Sequence, residues 1–450
     1  MGRWRVVLGL ACAHLAALGA HGAASATPYN VLWLTGESLR PDHLGCYGYD
    51  KPTSPRIDAL AARGVLWRRA FSASSWTTES MISNFLSLYS PAHGVITRDR
   101  AVPAAWKTPF KILAERGYLI PRMTDYQQPE QIAHRDLGYT ESTVNNAPPW
   151  DWIAAHKDRP FFMWYHLYES HLPYDPPQPH RSLFWDDSLI TGPDSKWRID
   201  LVMRRNLLPR NSINFFPERD GPPIRALYDG EVRTIDEKLG RILDALEAAA
   251  LSERTLVVFS ADHGEGLLDH DYVGHTTTLL AGTLYNAVLH VPLILSLPGV
   301  LPEGVTVETQ VRAIDVMPTV FELLGIAPPE YFQGESLSST WQDPAGGPDR
   351  VAFAATSNYG YLEPDPENVT HVFYSVQAEG WKLILEREDD RESARLFNLA
   401  IDPGETRNLS AQEPAKARSL RDKITTWLND CQAMREKAGD THPFPPPSHQ

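Results

Sequence analysis

An aspartate and a histidine stand side by side where a buried apolar run of the chain ends. Asp262 and His263 follow residues 256–259, whose apolar, β-branched and aromatic side chains are typical of a fully buried strand. A carboxylate oxygen and an imidazole nitrogen can bind the same divalent cation, and Gly264 lets the backbone turn away. In α/β proteins, ligands bind beyond the carboxyl ends of strands. The pair therefore indicates a metal site, although an isolated Asp-His pair can also be a polar turn.

A second acidic residue and a threonine stand at two further boundaries between elements. Residues 29–35 form another apolar run, and the Gly-Glu-Ser turn after it carries Glu37. Two strands are therefore expected to end in acidic ligands. Thr77 lies at or just before the start of a helix, where free N–H groups and the helix dipole favour an anion. A threonine in this place can alternatively be a simple N-cap.

A histidine lies in the loop that follows a third apolar run. Residues 160–165 read PFFMWY and predict an aromatic, buried strand. The next segment, HLYESHLPYDPP, is interrupted by prolines, which predict an irregular loop on the active face of the sheet. His171 lies in this loop, and as a single histidine it can equally be structural.

Strands and helices alternate along most of the chain. Strands are expected at residues 29–35, 118–124, 160–165, 256–259 and 291–296, and helices at residues 55–63, 78–86, 107–117, 226–251 and 315–324. Alternation of elements of these lengths predicts an α/β fold with a doubly wound, mostly parallel sheet. Residues 178–223 show no clear pattern, and we interpret them as an insertion that covers the edge of the sheet.

The pattern changes near residue 351. Short strands are expected at residues 373–376, 381–385 and 395–398, followed by a helix at residues 414–427. These elements predict a small C-terminal α+β subdomain over residues 346–437, after a catalytic domain over residues 27–345. Residues 438–450 are rich in proline and are expected to form a disordered tail. Cys46 and Cys431 are not a disulfide framework, and the sequence leaves their pairing open.

Composition and the N-terminus narrow the class of protein. The chain has 450 residues and a net charge of −14 without a run of Lys and Arg, which argues against a nucleic-acid partner. Residues 1–26 combine two arginines, an apolar stretch and an Ala-Ser-Ala site, as in a secretory signal. We therefore expect a secreted or periplasmic protein without a membrane span after signal cleavage. An uncleaved membrane anchor is the alternative.

Several separate motifs resemble the sulfatase family of the alkaline phosphatase superfamily. They include GESLRPDHLGCYGYDKPTSPRID, SWTTESMISNFLSLYSPAHG, LVVFSADHGEGLLDHDYVGH and LFNLAIDPGETRNL, in order over nearly the whole mature chain. The resemblance implies an alkaline phosphatase-like fold. The chain departs from the C/S-x-P-x-R motif, in which sulfatases oxidise the Cys or Ser to formylglycine. Thr77, Glu79 and Met81 occupy its first, third and fifth positions, and threonine cannot become formylglycine.

The departing residues are similar to those of phosphoethanolamine transferases and lipoteichoic acid synthases, which form a phosphothreonine intermediate. Carried over by position, this resemblance implies four metal ligands: Glu37, Thr77, Asp262 and His263. Thr77 is then also the nucleophile. His171 and His275 match histidines that contact the phosphoryl group or the leaving oxygen. The ligand types favour one divalent ion, zinc or manganese in preference to calcium.

These residues together predict a secreted metallo-hydrolase that cleaves phosphate esters through Thr77. Metal coordination activates a threonine hydroxyl, and in-line water can clear a phosphothreonine, whereas a sulfated threonine requires water to attack sulfur. The expected substrates are phosphodiesters or phosphonate monoesters on a small molecule, a glycan or a lipid head group. Three alternatives stay open: a sulfatase with an unusual nucleophile, a phosphoethanolamine- or phosphoglycerol-type transferase, and a non-catalytic binding module.

Overall fold

The computed structural model of the protein describes residues 28–123, 135–141, 148–358, 362 and 369–440. The predicted signal segment, residues 1–26, and residues 441–450 of the predicted tail lie outside this part of the chain. Among the described helices, none combines the length and the apolar character that crossing a bilayer requires.

A mixed, mostly parallel sheet forms the centre of the molecule. Numbered along the chain, the strands are β1 (Asn30–Gly36), β2 (Val65–Trp67), β3 (Ala70–Phe71), β4 (Phe162–Leu167), β5 (Thr255–Ala261), β6 (Gly266–Leu267), β7 (Val273–Gly274), β8 (His290–Val291), β9 (Leu293–Ser296), β10 (Val305–Val307), β11 (Val311–Arg312), β12 (Ala352–Ser357), β13 (His371–Ala378), β14 (Trp381–Glu388) and β15 (Arg391–Asn398). Within the described residues, the central sheet has the order β10-β2-β9-β5-β1-β4. Its pairs are parallel except those of β9, which runs antiparallel to β2 and β5. The predicted α/β fold with a mostly parallel sheet is confirmed.

Helices pack against this sheet and connect its strands. They are α1 (Pro55–Ala62), α2 (Thr77–Leu86), α3 (Ser90–His93), α4 (Pro109–Ala114), α5 (Pro149–Ala155), α6 (His180–Phe184), α7 (Pro193–Val202), α8 (Pro217–Ala248), α9 (Thr276–Leu279), α10 (Asn286–Leu289), α11 (Val316–Leu323), α12 (Ser338–Gln342) and α13 (Pro414–Lys437). Phe85 of α2 packs edge-on against Trp33 of β1 and Trp164 of β4, with ring centroids 5.6 and 5.0 Å away. Burial of one such aromatic side chain stabilises the fold by about 1.5–3 kcal/mol. This contact fixes α2, and therefore its N-terminus, relative to the sheet.

The longest helix of the catalytic part starts earlier than its apolar pattern predicts. A helix is expected at residues 226–251, but α8 begins at Pro217 and contains Pro222 and Pro223. Pro217 stands at the first helical position, where the missing N–H has no intrahelical acceptor, whereas Pro222 and Pro223 lie inside the helix and each remove one of its hydrogen bonds. The segment interpreted as an irregular insertion also contains α6 and α7. Their apolar residues are too few to give a clear helical period.

An antiparallel sheet and a long helix form the C-terminal part. The sheet has the order β12-β13-β14-β15, and α13 packs on it, with the ring of Phe353 stacked on Trp427 at 4.8 Å. Strand β12 has no counterpart among the predicted strands, and α13 extends ten residues beyond its predicted end at residue 427. The N–H of Ala355 donates to the carbonyl of Ala73 at 3.0 Å, which ties β12 to the segment before α2. The predicted α+β character of this part agrees with the structure, whereas the boundary at residue 346 stays a prediction.

Candidate active site

Strand register brings two of the acidic site residues together. Gly36, the last residue of β1, lies opposite Ala261 in β5 and Leu167 in β4, so the three strands end at the same edge of the sheet. Glu37 and Asp262 follow at this edge, and both are buried. The N–H of Ser38 donates to Asp262 Oδ1 at 2.9 Å, which links the two strand ends directly. The predicted convergence of acidic residues is therefore present.

Thr77 reaches the same place from the N-terminus of α2. The N-cap of this helix is Trp76, so Thr77 is its first helical residue and does not act as the N-cap. Its hydroxyl donates to Glu37 Oε1 at 2.9 Å and lies 3.4 Å from His263 Nε2. Thr77 is partly exposed, whereas Glu37 and His263 are buried. The hydroxyl thus lies at the open side of the cluster.

The donor atoms of this cluster fit a divalent cation. His263 Nδ1 lies 2.8 Å from the carbonyl oxygen of Gly264, so Nδ1 carries the proton and Nε2 presents a lone pair. That lone pair lies 3.3 Å from Asp262 Oδ2 and 3.5 Å from Glu37 Oε1. Asp262 Oδ2 is buried and has no hydrogen-bond partner among the described residues. Buried acceptors that face one another without a proton between them are costly, and a cation resolves this cost.

The two carboxyl groups respond differently to burial. Burial would raise the pKa of Glu37, but the hydrogen bond from His166 and the charges of nearby histidines hold it well below its usual range. Asp262 lacks such a donor on its Oδ2, and burial together with the charge of Glu37 raises its pKa to about 6. Glu37 is therefore stabilised by a histidine donor, whereas Asp262 accepts from two backbone N–H groups on Oδ1 and leaves Oδ2 for another positive partner.

His171 and His275 lie beside Glu37 and form a second part of the cluster. Their rings are 4.9 Å apart, and a nitrogen of each lies within 4.8 Å of an oxygen of Glu37 and of the other histidine. His275 Nδ1 lies 3.1 Å from Glu265 Oε1, and His171 Nδ1 contacts the carbonyl of Leu172. Burial lowers the pKa of His171 to about 4 and that of His275 well below its usual value. Both imidazoles are therefore neutral at pH 7 and keep Nε2 for other partners.

Two buried residues of the site are absent from the sequence-derived set. His166, in β4, places Nε2 2.5 Å from Glu37 Oε2. Glu265 accepts a hydrogen bond from Tyr174 at 2.9 Å and contacts His275, and burial raises its pKa to about 8. His166 is hidden in an aromatic run that reads as core strand. Glu265 had a usable signal, because it lies two residues after His263 at the strand end.

Glu79 and Met81, at the third and fifth positions of the motif, have partners outside the cluster. Glu79 is buried and accepts a hydrogen bond from the hydroxyl of Ser74 at 2.5 Å, and burial raises its pKa to about 8. Met81 is fully buried in the hydrophobic core. Helix α2 therefore brings the Thr77 hydroxyl to the site without a cationic side chain at the motif's arginine position.

The chain matches two protein-family models. The model "Sulfatase" matches residues 29–326, and the model "N-sulphoglucosamine sulphohydrolase, C-terminal" matches residues 281–434. The first model covers the cluster of acidic residues, threonine and histidines described above.

Curated relatives include proteins named as sulfatases. Arylsulfatase K of Xenopus laevis is 26% identical over 303 residues, which are 64% of this chain and 55% of the relative. Arylsulfatase K of Homo sapiens is 25% identical over 343 residues, which are 71% of this chain and 60% of the relative. A sulfatase of Formosa agariphila is 31% identical over 228 residues, which are 45% of this chain and 40% of the relative. The chain thus spans less than two thirds of the length of each relative.

Solved structures with the same fold include enzymes of two kinds. The phosphonate monoester hydrolase of Agrobacterium radiobacter superposes with a TM-score of 0.68 and 20% identity over 91% of this chain and 96% of that chain. A second structure, in complex with its substrate D-glucosamine-2-N,6-O-disulfate, superposes with a TM-score of 0.68 and 17% identity over 91% of this chain and 99% of that chain. At these identities the likeness shows the fold alone. The names of the curated relatives favour the sulfate-ester alternative over the expected phosphate-ester activity. Since the first family model matches well over half of the chain, the protein belongs to the sulfatase family.

Proposed function

We propose that this protein is a metal-dependent hydrolase of sulfate esters in which the Thr77 hydroxyl takes the place of formylglycine. The observation that carries the proposal is the convergence of the hydroxyl with Glu37 Oε1 at 2.9 Å and His263 Nε2 at 3.4 Å. Sulfate is placed ahead of phosphate because the matching family model and the curated relatives are named for sulfatases.

In this proposal, Glu37, Asp262 and His263 hold one divalent ion, with Thr77 as a further ligand. Two carboxylates, an imidazole and a hydroxyl suit zinc or manganese. When bound, such an ion lowers the pKa of a coordinated hydroxyl and neutralises charge that develops on the ester oxygens. The unpartnered Asp262 Oδ2 supports this placement.

Thr77 carries the covalent step. Its Oγ attacks the ester sulfur, an O–S bond forms, and the bond from sulfur to the leaving oxygen breaks. The hydroxyl proton leaves through Glu37 Oε1, to which it is already hydrogen-bonded. This proton then passes to the leaving oxygen, which departs as a hydroxyl group. His275 donates to that oxygen from Nε2 while a protonated Glu265 donates to its Nδ1. His171 donates from Nδ1 to the carbonyl of Leu172, so its Nε2 accepts a hydrogen bond from the incoming water. Water then displaces the Thr77 oxygen from sulfur, which releases sulfate and restores the hydroxyl.

A phosphate or phosphonate ester is the second candidate substrate, and the threonine itself favours it. Formylglycine releases sulfate by elimination from a hemiacetal. Thr77 forms no hemiacetal, so it cannot release sulfate in this way. A phosphothreonine can instead be cleared by water in line with the leaving oxygen. If an acceptor hydroxyl replaces this water, the same intermediate gives a phosphoethanolamine- or phosphoglycerol-type transferase.

The proposed substrate is an ester on a small molecule, a glycan or a lipid head group outside the cytoplasm. The predicted signal at residues 1–26 supports a secreted or periplasmic location. The net charge of −14 supports a partner other than nucleic acid. The predicted division at residue 346 would place Glu37, Thr77 and Asp262 in one unit.

A substrate panel tests this function. The zinc- or manganese-loaded protein is assayed with an aryl sulfate, a bis-aryl phosphodiester and an aryl phosphonate monoester, with the Thr77→Ala protein prepared in parallel as background. We expect the highest kcat/KM with the aryl sulfate and background rates for the variant. A phosphoester preference of tenfold or more would replace the first candidate by the second. Rates equal to the Thr77→Ala background on all three esters would favour a non-catalytic module.

A further inference from the structure

We infer that His166 is a positioning residue for the metal site, which orients Glu37 through a hydrogen bond from its Nε2. The inference rests on the proposed function, because that function assigns Glu37 to the cation. His166 is completely buried in β4. Trp164 lies two residues earlier in the same strand, so both side chains are on the same face of the sheet. The side-chain hydrogen bonds of His166 go to Thr35 and Glu37, so its action on the site passes through Glu37.

The hydrogen bond divides the two oxygens of Glu37 between different partners. His166 Nε2 lies 2.5 Å from Oε2, while Oε1 accepts from the Thr77 hydroxyl at 2.9 Å. The side chains of His166 and Glu37 are 0% and 2% exposed, so this hydrogen bond is shielded from bulk solvent. Hydrogen bonds to an ionised group are strong in such surroundings. The carboxylate is therefore held with Oε1 toward the nucleophile.

A chain of hydrogen bonds supports an N–H on Nε2 of His166. The indole N–H of Trp164 donates to Thr35 Oγ1 at 2.9 Å. Thr35 Oγ1 also lies 2.6 Å from His166 Nδ1, so the threonine hydroxyl can give its own proton to that nitrogen. Nδ1 is then the acceptor, and in a neutral ring the single N–H is on Nε2, facing Glu37. Strand register supports the arrangement, because Thr35 and His166 are direct partners in β1 and β4.

His166 has the geometry of a supporting residue more than of a ligand. A ring nitrogen of His166 lies within 4.8 Å of oxygens of both Glu37 and Asp262. However, both of its nitrogens are engaged, whereas His263 leaves the Nε2 lone pair facing the two carboxylates. Outer hydrogen bonds of this kind orient metal ligands, and removing one typically costs about 10–100-fold in metal affinity or activity.

The test measures zinc and manganese affinities of the metal-free full-length protein by competition with a chelator. His166→Leu removes the donor and is expected to weaken the affinity by about 10–100-fold. His166→Gln keeps an N–H near Nε2 and is expected to recover most of the affinity. A matched control is His180→Leu, because His180 contacts Thr234 through Nδ1 at 2.9 Å and Glu237 through Nε2 at 2.8 Å, away from the cluster. This control should leave the affinity unchanged.

Melting temperatures in a chelator separate loss of metal affinity from loss of the fold. If His166→Leu does not fold, Thr35→Val tests the same chain and is expected to weaken the affinity by a smaller factor. Wild-type metal affinity in His166→Leu overturns the inference. If His166→Leu does not fold, wild-type metal affinity in Thr35→Val overturns it. A folded His166→Gln as weak as His166→Leu also overturns it, since His166 would then be a ligand. A wild-type protein that binds neither ion overturns the metal site itself, so the two failures are distinguishable.

Discussion

The Thr77 hydroxyl and the Glu37 carboxylate are 40 residues apart in the chain and meet at 2.9 Å at the edge of the central sheet. One side chain comes from the start of a helix and the other from the end of a strand. Packing of Phe85 against Trp33 and Trp164 fixes the helix relative to that strand. The contact therefore depends on the core as well as on the two residues.

Loss of Asp262 should abolish metal binding. Wild-type protein is expected to retain about one zinc or manganese ion per chain after dialysis, and Asp262→Ala close to none, because its Oδ2 is the carboxylate oxygen without a protein donor. Elemental analysis of the dialysed proteins measures this. Asp244→Ala, at an exposed position, is the control and should keep the ion. Full occupancy in Asp262→Ala would place the metal elsewhere.

Glu265 should act on the reaction through His275. Glu265→Gln keeps the size of the side chain but alters the contact to His275 Nδ1 at 3.1 Å, and kcat is expected to fall by about tenfold or more with little change in KM. Steady-state kinetics with the best ester of the panel measures this. Glu231→Gln is the control, since Glu231 is also a buried glutamate, hydrogen-bonded to the N–H of Asp175. Equal kcat values for Glu265→Gln and wild type would mean that Glu265 does not act on the reaction.

A buried ion pair should contribute to the stability of the C-terminal part. Lys382 Nζ lies 2.7 Å from Glu405 Oε1 and donates to Asn286 Oδ1 at 2.8 Å, and both charged side chains are 1% exposed. Lys382→Met leaves the carboxylate buried without its partner, which should lower the free energy of unfolding by about 3–5 kcal/mol. Urea denaturation measures the change. Adding Glu405→Gln should recover part of the loss, and a cost below about 1 kcal/mol in the single variant would contradict a paired charge.

His93 should make the protein less stable in mild acid. Its Nδ1 accepts from the N–H of Val95 at 3.1 Å and its Nε2 contacts Ser83 at 3.0 Å, and burial together with nearby arginines lowers its pKa to about 3. Between pH 6.5 and 3 the unfolded chain binds a proton that the folded chain does not, so stability falls as the pH falls. From pH 7 to 4.5 this group alone accounts for about 3 kcal/mol.

The His93→Gln protein isolates this contribution from other titrating groups. Urea denaturation of both proteins at pH 7 and 4.5 is expected to show a smaller loss of stability on acidification in the variant. Equal losses in the two proteins would mean that His93 is protonated in the folded state.

Sequence patterns predict the site residues at the strand ends better than they predict the buried residues that orient those side chains. Asp262 and Glu37 could be found because each follows an apolar run, and the carboxyl ends of parallel strands share one edge. His166 could not, because the residue lies inside an aromatic run, and its role depends on strand register. The start of α8 is not predicted because Pro222 and Pro223 lie inside the helix, where a proline usually indicates that a helix ends.

The most direct test of the central claim is the turnover of Thr77→Ala beside that of Thr78→Ala. Thr77 is not the N-cap of its helix, so a purely structural role predicts little change in activity and a cost in stability near or below the roughly 1 kcal/mol of a lost cap. As the nucleophile, Thr77→Ala should lose about three or more orders of magnitude in kcat with its fold intact, and Thr77→Ser should keep part of the rate. Thr78→Ala should stay near the wild-type rate, and intact mass spectrometry after a substrate quench should show a sulfuryl- or phosphoryl-sized adduct on Thr77. Wild-type turnover in Thr77→Ala together with an inactive Thr78→Ala would contradict the account and move the chemistry to Thr78.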